Sequence, residues 1–283
     1  MIEVERYLGR SEVRRDTADA ERMRLLAATL DHQSPPWAAG LLPPLGHWLC
    51  FRPDARQSLL GADGHPLNGD DSFLPDAGLP RRMWAGSRIA FLGDIPLGAA
   101  LVRTSTISAL APKQGRSGAM LFVTVTHEIA VEGGEAAIRE EQDIVYREAQ
   151  PPSAAAAAPP PPAAPACEEG AIIRRLVPDP VLLFRYSALT FNAHRIHYDR
   201  AYATGEEGYP GLVVHGPLIA TLLLDHCLRQ PWGARIAGYD FRAQAPLFDG
   251  HELALAATRD GDEVRLQAIG PTGIGTTATA RLG

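Results

Sequence analysis

Lysine is almost missing from this 283-residue chain: Lys113 is the only one. With a formal net charge of −6, the chain has no means of building a broad basic surface, which excludes nucleic acid and acidic membrane as partners. Its positive charge is carried by arginine, whose planar fork suits carboxylate and phosphate on small anions, although a GC-rich coding sequence also accounts for that bias. Cysteine is scarce too. Cys50, Cys167 and Cys227 lie far apart, form no C-x-x-C and are odd in number, so no disulfide framework is expected and a reducing compartment fits. No apolar run approaches the roughly 20 residues needed to cross a bilayer. The opening "MIEVERYLGRSEVRRD" has no apolar core of a signal peptide. A soluble, cytoplasmic protein without a membrane partner is expected.

Apolar and charged contents are those of an ordinary globular protein, and the length allows one large or two modest domains. "AQPPSAAAAAPPPPAAP" marks the boundary. Its prolines stop helices and deny a strand ladder its donors, so residues 149–166 read as an extended tether between domains at 1–148 and 167–283. In the first, "DTADAERMRLLAATLD" (16–31) reads as a helix started by Asp16 and Thr17. "GAMLFVTVTHEIAV" (118–131) and "AAIREEQDIVYRE" (136–148) read as strands joined by the turn "EGGE". In the second, "VLLFRYSALT" (181–190) reads as a strand. "HGPLIATLLLDHCLRQ" (215–230) is apolar nearly all round, as a buried helix is. Strands follow, with Asp260–Gly261 as a hairpin turn. "SRIAFLGDIPLGAAL" (87–101) echoes "ARIAGYDFRAQAPLFDG" (234–250), which suggests two copies of one α+β unit.

The densest chemistry is "TFNAHRIHYDR", residues 190–200, followed by "YPGLVVHGPL". A metal site is not expected: His194 and His197 are three apart rather than four, and Arg195 between them would repel a cation. Loop histidines satisfied by backbone are the plainer reading of any one of them. The density of polar groups between two apolar elements favours acid–base chemistry instead, since histidine titrates near neutrality and a neighbouring amide or carboxylate can hold water and orient the ring. In "HGPL", a glycine N–H at the start of a buried helix is a donor for a developing anion.

These motifs resemble the MaoC-like (R)-hydratase hot-dog family. With "LPRRMWAG" (79–86) and "PPLGHWLCF" (43–51) they resemble, more narrowly, its two-domain hydratases of itaconyl-CoA and 3-methylfumaryl-CoA (mesaconyl-CoA). The resemblance implies a double hot-dog, with each antiparallel sheet wrapped around a central helix and the acyl pocket between the halves. It places the catalytic histidine at His197, a second acidic residue at Asp199 and the oxyanion-hole glycine at Gly216. The family's catalytic aspartate falls on Asn192, an amide that can position water but not exchange a proton. Arg195, His194, His215, Tyr209, Arg82 and Trp84 are expected to face substrate or CoA, with Arg195 or Arg82 holding a free carboxylate. Asp199 either orients His197 or caps the following helix. The implied reaction is hydration of a short dicarboxylyl-CoA to citramalyl-CoA by a cytoplasmic homodimer with no cofactor beyond the CoA of its substrate. A fatty-acid hydroxyacyl-thioester dehydratase, a hot-dog thioesterase and a non-catalytic acyl-CoA-binding module are the rival readings.

Overall fold

The structure is a computed structural model that describes residues 4–67, 69, 72–115, 118–148, 168–233 and 235–283. The Ala/Pro tether and Cys167 lie outside the described residues. Ten strands form one antiparallel sheet: β1 Ser11–Thr17, β2 Arg81–Phe91, β3 Ala100–Gly115, β4 Gly118–Val131, β5 Ala136–Arg147, β6 Ile172–Leu176, β7 Ile236–Ala243, β8 Leu253–Asp260, β9 Glu263–Gly270 and β10 Gly273–Leu282. Their spatial order is β1-β3-β4-β5-β2-β7-β10-β9-β8-β6. Each half therefore contributes five strands in the same internal order, and the two halves meet where β2 pairs with β7, from Gly86↔Arg242 to Ala90↔Gly238. The echo between residues 87–101 and 234–250 falls on this seam.

The helices repeat as well. α1 (Ala20–Thr29) is capped by Asp19 and α2 (Pro180–Thr190) by Asp179, each carboxylate accepting a first-turn backbone N–H. Each helix is followed by a left-handed residue, Asp31 and Phe191. α3 (Arg200–Gly205) is short, and α4 (Gly216–Leu228) is the buried central helix, with every residue from Leu218 to Cys227 buried. α4 packs on β8, β9 and β10, so its side chains and those of the inner sheet face make one core. In the first half a single 3-10 turn, Gly46–Leu49, occupies the place of α4.

Three sequence expectations are corrected. Residues 181–190 are helical. Asp179 caps them, Pro180 sits at the first turn where its missing N–H costs nothing, and Leu183, Tyr186, Ser187 and Leu189 are the buried face at helical spacing. Val181 and Phe184 lie off that stripe and are exposed, as the outer face of a helix is. The first helix starts at Ala20 rather than at Asp16, because residues 11–17 pair with β3. The Asp16 carboxylate instead accepts the Phe51 N–H and an Arg22 N–H. The hairpin between β8 and β9 turns at Gly261–Asp262, since Asp260 pairs with Glu263.

Cys50 and Cys227 are free and buried. One buried carboxylate ties the halves together. Asp225 on α4 accepts from His32 of the first half at 2.5 Å, Arg174 at 2.7 Å and Arg229 at 2.8 Å. Removing it strands these groups at a site only 2% exposed. Asp225→Ala should lose about 3–5 kcal/mol of unfolding free energy, read by urea denaturation against the parent.

Candidate active site

The loop 192–199 begins where α2 stops. Asn192 turns the chain by accepting the His194 N–H on its own Oδ1 at 2.9 Å. One 3-10 turn, Arg195–His197, then brings His197 inward until it is 7% exposed. Its Nδ1 lies 2.7 Å from the Val213 carbonyl oxygen. A carbonyl only accepts, so Nδ1 carries the hydrogen and Nε2 is left with its lone pair. The ring stacks on His215 with centroids 3.6 Å apart, and His194 stands edge-on at 5.4 Å. His215 is the N-cap residue of α4, so the imidazole at 197 lies against the residue immediately before Gly216. His215 is 1% exposed, and its Nε2 meets Ser187 Oγ at 2.8 Å.

Burial sets the electrostatics. It pushes the pKa of His197 down to about 3, assisted by its neighbour His194. Burial also pushes His194 to about 3, with His65 adding to the effect. His215 is held well below the usual imidazole range by burial and by His197. All three rings are neutral at pH 7, and a neutral imidazole with a free Nε2 is a base.

The other half supplies the facing wall. Between Trp84 and Gly86 the pairing of β2 with β5 shifts by one residue. A side chain at Gly86 would put its Cβ 2.3 Å from the Phe241 carbonyl, so only glycine fits at this bulge. The bulge leaves the Trp84 carbonyl facing Gly216, 3.8 Å from where a Cβ would be. The Trp84 indole is fixed by its N–H on Ser87 Oγ at 2.9 Å and by edge contact with Trp48. Ser87 in turn donates to the buried Glu140 at 2.6 Å, which also accepts from Trp48 and bonds His47. Gly216 is the first residue of α4, where helix N–H groups have no intrahelical acceptor.

The corresponding position of the first half has different residues. Leu42 N–H donates to Ile95 O as Val214 N–H donates to Leu247 O, and the bridge Leu41↔Pro96 matches Val213↔Phe248. In that register Pro43 and Pro44 replace His215 and Gly216. Proline has no N–H to offer an oxyanion. A cavity of about 320 Å³ remains there, its lining including Trp37, Leu42, Pro43, Phe91, Ile95 and Ile138.

Of the residues expected to act, His197, His194, His215 and Asn192 come together, with Gly216 and Trp84 beside them. Three do not join them. Asp199 caps α3 through the Tyr202 N–H at 3.1 Å and pairs with Arg195 at 2.8 Å, so it neither orients His197 nor exchanges a proton with it. Arg195 is committed to Asp199, to the Ala62 carbonyl and to the face of Tyr202, which withdraws it as a carboxylate ligand and as a source of repulsion in the histidine loop. Tyr209 packs between Phe248 and Arg81, a lining of the domain edge. Arg82 is two residues from Trp84 on the same strand, hence on the same face, and its charge reaches His194. The sequence reading missed the loop "GADGH": the Asp63–His65 pair lies against His194. Asp63, His65 and His194 also offer ligand atoms within 4.8 Å of one another, a grouping that no local spacing displays.

A model of the family described as hydroxyacyl-thioester dehydratase type 2 matches residues 45–249. The chain belongs to the hydroxyacyl-thioester dehydratase type 2 family. It is an enzyme of the hydro-lyase type. Mesaconyl-C(4)-CoA hydratase of Chloroflexus aurantiacus is 48% identical over 279 residues, 98% of this chain and 97% of that protein. The mitochondrial type 2 hydroxyacyl-thioester dehydratase of Schizosaccharomyces pombe is 38% identical over 87 residues, 30% of this chain and 29% of its own. Among solved structures, a MaoC-like dehydratase aligns over 99% of this chain and 100% of its own with a TM-score of 0.72 at 16% identity. A Mycobacterium tuberculosis protein described as a double hotdog aligns over 98% and 96% with a TM-score of 0.55 at 13% identity. These likenesses agree with the ten-stranded, two-unit sheet: this family member is a double hot-dog.

Because the three rings are neutral in the folded enzyme and take up protons near pH 6.5 once unfolded, the unfolded state binds more protons at acid pH. Stability should be full above about pH 6.5 and fall as pH drops toward 3, with a slope of up to about 1.4 kcal/mol per pH unit for each ring. Urea denaturation at pH 7.5, 6 and 4.5 measures it, and His215→Gln should make the slope shallower.

Proposed function

We propose that this enzyme adds water across the double bond of a short branched dicarboxylyl-CoA, mesaconyl-CoA or itaconyl-CoA, to give citramalyl-CoA. The observation that carries the reading is the His197 ring, fixed through Nδ1 with Nε2 free, stacked beside the start of α4. The near-full-length similarity to a mesaconyl-C(4)-CoA hydratase supports the choice of substrate. The 30% coverage by the fatty-acid-type relative gives less support to a long acyl chain.

In this mechanism the thioester carbonyl rests on the Gly216 N–H. An added Cβ there would make only ordinary contact with the protein, so the need for glycine lies on the ligand side. Asn192 Oδ1 is already taken by the His194 N–H, which leaves its Nδ2 to hold the water. His197 Nε2 takes one proton from that water as its oxygen bonds the β-carbon. The π pair moves onto the thioester oxygen, where an oxyanion donor is worth about 3 kcal/mol. His197 then returns the proton to the α-carbon. For itaconyl-CoA, whose double bond is not conjugated, the same ring first removes the α-proton. Thioester and imidazole suffice, so no cofactor enters.

A cytoplasmic homodimer completes the reading. β6 is an edge strand, and Ile172, Ile173, Val177, Val181 and Phe184 beside it are exposed, as a face that pairs with a second copy would be. No helix among the described residues is long and apolar enough to cross a membrane.

Itaconyl-, mesaconyl- and crotonyl-CoA incubated with the enzyme should show a gain of one water by mass for the dicarboxylyl substrates. His197→Ala should lose at least about 10²-fold in kcat with an unchanged circular dichroism spectrum. Asn192→Asp, which keeps the Oδ1 acceptor but removes the Nδ2 donor, should lower kcat with an unchanged fold. Release of free CoA would mean a thioesterase, and binding without turnover a carrier module.

A further inference from the structure

The loop 59–67 belongs to the first half, yet it is built onto the catalytic loop of the second. It closes on itself through Gly61 N–H to His65 O at 2.7 Å and Leu67 N–H to Leu59 O at 2.8 Å. Its tip docks by two hydrogen bonds, Arg195 N–H to Asp63 O at 2.9 Å and Arg195 Nη1 to Ala62 O at 3.0 Å. Gly64, at φ +88°, lies so close that a Cβ would stand 1.9 Å from the Ala193 carbonyl oxygen. Only glycine allows this contact. The result is a second imidazole laid over His194, with centroids 4.0 Å apart.

His65 is held on two sides by Asp63. Its Nδ1 lies 2.8 Å from Oδ2, and its backbone N–H donates to Oδ1 at 3.0 Å. Burial raises the Asp63 pKa, but the His65 hydrogen bonds outweigh it and bring it down to about 2, so Asp63 stays ionised. With its Nδ1–H directed at Asp63, His65 can donate through Nε2 only in the imidazolium form of the ring. The charge of Arg82, on β2, acts on the same ring of His194. The carboxylate here is already partnered, and what faces a ligand is the Arg82 guanidinium together with two imidazole edges, His65 donating through Nε2 in its imidazolium form and His194 beside it.

We propose that His65, His194 and Arg82 form the subsite for the free carboxylate of the acyl group, which makes loop 59–67 the element that selects dicarboxylyl over monocarboxylic acyl-CoA. The proposal rests on the hydratase reading only in placing the acyl group at His197. Geometry favours it. In a branched four-carbon dicarboxylyl thioester the free carboxylate is bonded to the β-carbon, the carbon that water attacks. It must therefore lie within one ring-spacing of the base, and His194 stands 5.4 Å from His197. Arg195, the nearest arginine in sequence, is occupied by Asp199. A cation in the same cluster would face the Arg82 charge, whereas an anion is attracted by it.

The test is calorimetric binding of two saturated four-carbon thioesters, succinyl-CoA and butyryl-CoA, which differ in a terminal carboxylate. The parent enzyme should bind succinyl-CoA about 10- to 100-fold more tightly, the worth of hydrogen bonds to a charged group. His65→Gln and Arg82→Gln should each bring that ratio toward one through succinyl-CoA alone. Gly64→Ala, which removes no charge but cannot dock the loop, should do the same. Equal binding of both thioesters by the parent, or an unchanged ratio in the variants, would overturn the proposal. So would loss of succinyl-CoA binding on treatment with a chelator and its return with zinc, which would assign the cluster to a metal. A parent that binds succinyl-CoA in a His65-dependent way but hydrates no enoyl-CoA would sink the hydratase reading and leave the subsite standing.

Discussion

A single hydrogen bond, from His197 Nδ1 to the Val213 carbonyl, is the constraint on which the proposed chemistry of this protein depends. It links the loop after α2 to the strand-like segment before α4, and it decides which ring nitrogen keeps its lone pair. Burial alone would leave a neutral ring of undefined tautomer. The bond turns that ring into a base that points one way. The stack of His197 on His215 and the Ser187 contact behind it hold the ring against rotation, as a positioned proton-transfer group requires.

The two halves are built alike and used differently. Both have a capped helix, a left-handed residue after it and a five-stranded sheet of the same order. One keeps a thirteen-residue central helix opened by His215 and Gly216, and the other has a 3-10 turn preceded by Pro43 and Pro44. Proline at both positions leaves no N–H there, whereas the second half presents the N–H of Gly216. What the first half retains is a supporting role: Trp84 across from Gly216, braced by Ser87 and Glu140, and the loop 59–67 laid on the catalytic loop.

Much of this was legible in the residue pattern, where local chemistry and final structure agree. β4 and β5 follow from alternating β-branched residues around a Gly-Gly turn, and α4 follows from a run too apolar to be exposed. The "HRIH…HGP" spacing located the buried histidine cluster and the helix start. The strand read at 181–190 failed because a helix with one buried stripe and aromatic content imitates a strand over ten residues. Asp199 and Arg195 looked catalytic by proximity in sequence, but a carboxylate one residue before a helix is satisfied by capping and by an arginine four positions back. Asp63 and His65 were invisible because their partner, His194, is about 130 residues away in sequence and only tertiary folding joins them.

The neutral, Nδ1-protonated state of His197 is the point on which the chemistry turns, and nitrogen-15 histidine NMR reads it directly. With the resonance assigned by its disappearance in His197→Asn, the ring should show a protonated Nδ1 and a bare Nε2 at pH 7, unchanged down to pH 5. A resonance pattern with the hydrogen on Nε2, or a ring already charged at pH 6, would contradict it.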